Sequence, residues 1–300
     1  DLAHEHAQGA ALVAGGTGAA HSYNILLRNT PLLAVIEGFG SIPLAELAIR
    51  LRQGKSLEDI KGLILADPAR VIQFNPKQQP VEREYLKVVS MAQRPQDVPY
   101  ENYWSLLPDV NARIHPHILK RDPLLLLRSS RFTTELSGCP WGCKYCAYTS
   151  WAMRQEIDGE QPAYFLSPEE MVRQIENFIA AYPSQERFFI WFFDGDLAVS
   201  LPRLERFCEL MQGRHREDPN FPLWGGPVRP DRLSIGLAQK MYAAGCRQLL
   251  IGAENYSRRV WKSLGRSPHI SIPAGATPKQ IIEQGIGNAQ AAGIKTIASF

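Results

Sequence analysis

Apolar positions in this chain cluster into short runs, each emptying into a glycine-bearing turn and most followed by a stretch with helical spacing. Ala10 to Ala14 is such a run and opens into Gly15-Gly16-Thr17-Gly18-Ala19; Leu32 to Ile36 is a second and ends in Glu37-Gly38-Phe39-Gly40-Ser41. Runs of this length bounded by turns predict strands. From Pro43 to Arg52 the apolar residues Leu44, Leu47, Ala48 and Leu51 recur at the spacing of a helix with one buried face, and Gly54 supplies the stop. Strand, glycine turn, helix is the unit that cradles phosphates and nucleotides in doubly wound folds, because glycine lets backbone approach a ligand and helix N-termini favour anionic groups. Glycine also serves ordinary tight turns, so these turns alone leave both readings open.

Prolines then recur at Pro76, Pro80, Pro95, Pro99, Pro108, Pro116 and Pro123. That density excludes long helices and central strands and predicts an irregular connector over residues 76–127. Its aromatic residues Tyr100, Tyr103 and Trp104 are expected to pack it onto its neighbours.

A second α/β repeat begins near residue 128. Strands are predicted at Arg131 to Leu136, Arg187 to Phe193, Leu223 to Gly226, Gln248 to Gly252 and Lys295 to Phe300, with helices at Ser167 to Ala181, Pro202 to Gln212, Asp231 to Ala244 and Pro278 to Ala292. Alternation with short connections implies parallel strands with helices outside, and five such strands suit a partial TIM-like barrel. Ligands of such barrels sit at the C-terminal strand ends. The residues there are Asp194-Gly195-Asp196, Arg229 to Asp231, Gly252 to Asn255, and Ser299.

Composition narrows the class. Of 300 residues, 45% are apolar and 21% charged, enough for one large or two ordinary cores. The formal net charge is only +3 and the basic residues are interspersed with acids, so the dense basic stripe of a nucleic-acid binder is missing. The longest apolar runs, Leu124 to Leu127 and Phe188 to Phe193, fall far short of the ~18 residues of a membrane span. There is no basic-then-apolar signal segment at the start, and a reducing cytoplasm is the expected location.

The chemistry-bearing signal is Cys139-Pro140-Trp141-Gly142-Cys143-Lys144-Tyr145-Cys146, a CxxxCxxC triplet. Four-iron clusters normally take four cysteine ligands, so three thiolates on one short loop leave one iron open to a non-protein ligand. A structural zinc site is the alternative, but it needs four closed ligands, usually in two knuckles. The other cysteines, Cys208 and Cys246, lie far downstream in stretches that read as helix, where they are expected to be buried small hydrophobes. His115 and His117 could complete a tetrahedron only from a proline-rich loop. Five cysteines are too few and odd in number for a disulfide framework.

The triplet, with Tyr145 just before its last cysteine, resembles the radical S-adenosylmethionine (SAM) superfamily, and residues 8 to 75 resemble the C-terminal half of the cobalamin-binding domain that precedes many radical SAM domains. The second resemblance rests on the order of the glycine turns, the helix between them, and the Gly54 to Leu63 segment. Together they imply an α/β protein: part of a Rossmann-like cobalamin domain over residues 1–75, the connector over 76–127, and a partial TIM-like radical SAM barrel over 128–300. The family's usual six strands imply that this chain is the middle of a longer protein.

The resemblance assigns residues by position. Cys139, Cys143 and Cys146 hold a [4Fe-4S] cluster whose open iron is chelated by SAM. Tyr145 lies on the adenine side; Asp194 or Asp196 faces the SAM amino group, with plain turn formation as the competing reading; Arg229 pairs with the SAM carboxylate while Asp231 caps the next helix. Glu254, in a segment similar to the family's Gly-x-Glu-Ser with Asn255 in place of serine, faces SAM, and Ser299 lies at its ribose. Gly15, Gly16, Gly18, Glu37, Gly38 and Gly40 line the cobalamin nucleotide tail. Two departures matter: Phe39 and Ser41 replace an acid-rich turn, and His4 and His6 only imitate the D-x-H-x-x-G loop, leaving the cobalt ligand unassigned. The implied reaction uses cluster, SAM and cobalamin, with electrons from a flavodoxin or ferredoxin, to methylate an unactivated carbon of a small-molecule or peptidic substrate. Ring formation or rearrangement would use the same machinery. A passive iron–sulfur or zinc module would leave Glu254 and the glycine turns without ligands.

Overall fold

The computed structural model describes residues 9–76, 95–107, 128–132, 135–137, 139–141, 143–146, 164–183, 187–266 and 275–300. His4, His6, His115, His117, Leu124 to Leu127 and the prolines at 80, 108, 116 and 123 lie outside the described residues. The chain forms two compact units, residues 1–85 with 140–162 and residues 86–139 with 163–300.

In the first unit β1 (Val13–Gly15) runs parallel to β2 (Ala34–Ile36), with α1 (Thr17–Asn29) between them and α2 (Ser41–Gln53) after β2. Two strands absent from the sequence reading follow: β3 (Leu63–Ala66) pairs antiparallel with β2, and β4 (Ile72–Phe74) antiparallel with β3. The hairpin between them is built by Asp67, whose Oδ1 accepts the Val71 N–H at 2.8 Å, and by Arg70 at φ 62°. Strand residues alternate between faces. Val35 and Ile64 accordingly pack with Leu27 of α1, while Ala34, Ile36, Leu63 and Leu65 pack with Leu47 of α2. Helices therefore cover both faces of a mixed sheet. Gly54 ends α2 in the left-handed conformation, as its stop signal predicts.

The second unit is a parallel five-stranded sheet in chain order: β5 (Ser129–Phe132), β8 (Phe189–Phe192), β9 (Leu223–Val228), β10 (Cys246–Gly252) and β11 (Lys295–Ser299). The predicted first strand divides in two. Its second piece, β6 (Glu135–Ser137), leaves the sheet and pairs antiparallel with β7 (Tyr164–Phe165). One face of the sheet, carrying Ile190, Phe192, Trp224, Val228, Leu249 and Ile251, is buried with residues of α4 (Pro168–Ala181), α5 (Leu201–Glu217) and α6 (Ile235–Ala243). At ~25 cal/mol per Å² such aromatic and aliphatic burial dominates the unit's stability. Gly226 makes close packing possible on that face: a Cβ there would lie 2.7 Å from Leu197 Cδ1.

Three helix starts in this unit carry side-chain caps. Ser167 and Glu170 form a reciprocal capping box on α4, Thr277 and Gln280 form another on α8 (Pro278–Ala291), and Ser234 caps α6. The short helix α3 (Tyr100–Trp104) brings the connector's aromatics into the core, as expected for Tyr100 and Trp104: Trp104 Nε1 donates to the Ser129 carbonyl at 3.0 Å, and both rings pack against Phe178. Tyr103 is exposed instead. Cys246 opens β10 rather than ending a helix, and both it and Cys208 are buried. Burial pushes the Cys208 thiol up to about 12 and the Cys246 thiol well up too, which makes them inert hydrophobes.

Candidate functional site

The C-terminal ends of β8 and β9 carry one set of buried polar contacts, and those of β10 and β11 another. After β8 the chain turns through Asp194 and Asp196, which are 4% and 1% exposed. Asp196 Oδ1 accepts the Ala198 N–H at 3.0 Å and the Arg229 N–H at 3.3 Å, so this carboxylate ties the end of β8 to the end of β9. Its turn-forming role is visible directly. Asp194 is buried beside it in the same turn.

Arg229 leaves β9 with its guanidinium in a two-pronged bond to Asp231, Nε to Oδ1 and Nη2 to Oδ2, both 2.9 Å, with both side chains buried. Here the expectation for Asp231 is corrected. Pro230–Arg232 forms a separate 3-10 turn that places Asp231 on Arg229, and Ser234 caps the helix that follows. One edge of the Arg229 fork is therefore already engaged by an acid of its own chain.

Beyond β10, Glu254 adopts φ 62°, a left-handed conformation that costs a non-glycine residue roughly 1 kcal/mol. The contacts that hold it there are strong. The N–H groups of Ala253 and Glu254 both donate to the Ser299 carbonyl at the end of β11, at 3.0 and 2.7 Å. Glu254 Oε1 pairs with Arg266 Nη1 at 3.1 Å, and Arg266 Nη2 donates to the Gly252 carbonyl. Ser299 itself is exposed on the last strand. Of the residues that the sequence singles out, the fold thus joins Glu254 to Ser299 through backbone, and Asp196 to the Arg229 N–H through the Asp196 carboxylate. Arg266 was missed by sequence reading; the only signal was that a poorly exposed acid at a strand end requires a cation.

Of the three triplet cysteines, Cys139 is buried and Cys143 and Cys146 are partly exposed. The Cys146 N–H donates to the Cys143 carbonyl at 3.1 Å, so the last two stand on one tight turn, and Tyr145 on that turn is 45% exposed. Among the described residues no three His, Cys, Asp or Glu side chains are gathered into a metal-binding group. The donor set nonetheless suits iron–sulfur binding: three soft thiols within eight residues, two of them reachable from solvent.

In the first unit the predicted glycines occupy the starts of α1 and α2. Gly16 has φ 87° and Gly38 φ 91°, which only glycine adopts without strain. Among the described residues a Cβ on Gly16 or Gly18 would meet nothing within 4 Å, whereas one on Gly15 or Gly40 would touch Ile36 at 3.7–3.8 Å. Neither helix has a side-chain cap or an acid in its first turn. Open space above uncapped N–H groups suits the anionic part of a cofactor. Glu37 follows β2, its N–H bonded to the Gly62 carbonyl at 2.8 Å.

No family model matches the chain. An uncharacterized methyltransferase of Pyrococcus horikoshii is 22% identical over 290 residues, covering 96% of this chain and 53% of the relative. The radical SAM methyltransferase TsrM of Kitasatospora setae, solved with tryptophan substrate and a SAM analog, superposes with a TM-score of 0.63 at 18% identity, over 98% of this chain and 50% of that one. The same protein has been solved with cobalamin and a [4Fe-4S] cluster bound. The cobalamin-dependent SAM radical enzyme OxsB, with aqua-cobalamin bound, superposes at 0.62 with 16% identity, over 99% of this chain and 37% of that one. The chain thus spans about half the length of the curated relative. Its sequence of two α/β units has the fold of the corresponding part of the cobalamin-dependent radical SAM enzymes TsrM and OxsB.

Proposed function

We propose that this chain is the cofactor-binding part of a cobalamin-dependent radical SAM enzyme that methylates an unactivated carbon of a small-molecule or peptidic substrate. The observation that carries the reading is the CxxxCxxC triplet, Cys139, Cys143 and Cys146, in a chain whose fold matches proteins solved with SAM analog, cobalamin and [4Fe-4S] cluster. A small-molecule substrate is in keeping with the tryptophan bound to TsrM.

Cys139, Cys143 and Cys146 would hold the cluster as thiolates and leave its fourth iron to SAM. When bound, cluster, SAM and cobalamin together supply one-electron chemistry and a transferable methyl group. The protein's own residues bind and orient. Glu254 presents a carboxylate to the SAM ammonium, Arg229 a cation to its carboxylate, Asp194 and Asp196 a buried acidic turn, Ser299 a hydroxyl to the ribose, and Tyr145 a ring to the adenine side. The turns at Gly15, Gly16, Gly18 and at Glu37, Gly38, Gly40 receive the cobalamin tail, with uncapped helix N–H groups toward its phosphate. A flavodoxin or ferredoxin supplies the electron. No described helix is long and apolar enough to cross a membrane, and the cytoplasm is the proposed location.

Anaerobic reconstitution with cobalamin, SAM and a reductant tests this reading. Release of S-adenosylhomocysteine together with 5′-deoxyadenosine is expected. Deoxyadenosine alone would replace methylation by ring formation or rearrangement, and release of neither would overturn enzymatic function.

A further inference from the structure

Arg266 is 4% exposed, and a buried guanidinium is costly unless its charge and donors are matched. Two of its contacts are made at the end of β10 and one on the loop that follows. Nη1 pairs with Glu254 Oε1, Nη2 donates to the Gly252 carbonyl, and the guanidinium carbon stands 5.3 Å from the centre of the Trp261 ring. Between Glu254 and Arg266 the chain makes a single excursion, the short helix α7 (Arg258–Ser263), which is docked by Trp261 against Ala253 and Ile282. The return is fixed by Gly265 at φ 66° and by the Arg266 N–H on the Trp261 carbonyl at 3.1 Å. A loop that leaves after Gly252 is therefore closed at its root by one side chain.

This closure acts on Glu254 in particular. Backbone bonds to Ser299 set its left-handed main chain, and Arg266 engages one carboxylate oxygen, Oε1. Among the described residues Oε2 has no hydrogen-bond partner, and the side chain is 21% exposed, so the second oxygen is open to an outside cation. We propose that Arg266 is a positioning residue, which holds the Glu254 carboxylate oriented so that Oε2 receives the ammonium of the SAM methionine moiety. This rests on the proposed use of SAM at this site.

The test compares two ligands on the reconstituted full chain by equilibrium dialysis: SAM, and methylthioadenosine, which keeps the nucleoside but lacks the amino-acid tail. Arg266→Gln is expected to weaken SAM by about tenfold or more while changing methylthioadenosine less than about twofold, the loss of one charge-assisted contact. Glu254→Gln should show the same selective loss. Arg266→Lys keeps the charge but loses the planar fork, and should recover part of the SAM affinity. It also keeps the test decisive if the glutamine variant does not fold. Equal weakening of both ligands would reduce Arg266 to a purely structural residue, and unchanged SAM affinity would remove it from the site; either overturns the proposal while leaving SAM use intact. If the unaltered protein does not bind SAM more tightly than methylthioadenosine, the proposed use of SAM falls and this inference falls with it.

Discussion

Three helices of the second unit begin differently from the two of the first, while α3, α5 and α7 of the second also start without a side-chain cap. In the second, Ser167, Ser234 and Thr277 close the starts of α4, α6 and α8 with their own side chains. In the first, α1 and α2 start at Gly16 and Gly40 with no side-chain cap and no acid in the first turn. A helix that caps itself has answered its unsatisfied N–H groups; a helix that does not leaves them to water or to a ligand. Four particular glycines differ as sharply. Gly285 and Gly226 of the second unit are crowded, Gly285 by the Pro230 backbone at 2.7–2.8 Å, while Gly16 and Gly18 of the first face open space. Gly285 and Gly226 allow close packing, and Gly16 and Gly18 leave room at the start of α1.

The comparison can be broken most sharply at Gly285 and Gly18. Gly285→Ala drives a methyl group into backbone that cannot yield, and is expected to destabilise the second unit by ~1–3 kcal/mol in urea melts. Gly18→Ala sits in open space in the first turn of α1 and should raise stability by ~0.5 kcal/mol or leave it unchanged. The same methyl group should weaken cobalamin binding by about tenfold, roughly 1.4 kcal/mol, if the open turn is where the cofactor approaches. Unchanged cobalamin affinity would make α1 an ordinary helix with a solvated start. Ser167→Ala removes half of a capping box and should cost about 1 kcal/mol in the melt with no effect on cobalamin.

A smaller effect concerns acid. His215 at the end of α5 accepts from Arg187 through Nδ1 at 3.1 Å; burial first, then Arg187 and Arg247, lower its pKa to about 4 from an ordinary 6.5. A folded-state pKa below the unfolded one favours the neutral ring. Its contribution is thus complete above pH 6.5 and is lost as the pH falls from there toward 4. His215→Gln keeps an acceptor for Arg187 and should flatten the fall in melting temperature over that window.

How much was legible in the sequence followed from how far each feature is decided locally. The parallel strands of the second unit, the Ser167 helix start and the Gly54 stop were readable because apolar period, capping residue and terminal glycine act within a few residues. The β3–β4 hairpin was not. Its antiparallel pairing depends on the turn that Asp67 and Arg70 make between the two strands. The split of Arg131 to Leu136 into β5 and β6 depends on a partner, β7, nearly thirty residues away. At the site, Glu254 and the cysteine triplet stood out by motif. Arg266 carried no motif, since its role arises only when a loop folds back onto the end of β10. Asp231 looked like a cap because an acid before a helical pattern usually is one; a 3-10 turn gave it to Arg229 instead.

Mössbauer and electron paramagnetic resonance spectra of anaerobically reconstituted protein, taken with and without SAM, bear most directly on the claim that Cys139, Cys143 and Cys146 leave one iron open. A four-iron cluster whose signals shift when SAM is added is the expected result, and should vanish when any one of the three becomes alanine. A single tetrahedral metal ion, or a four-iron cluster indifferent to SAM, would contradict it.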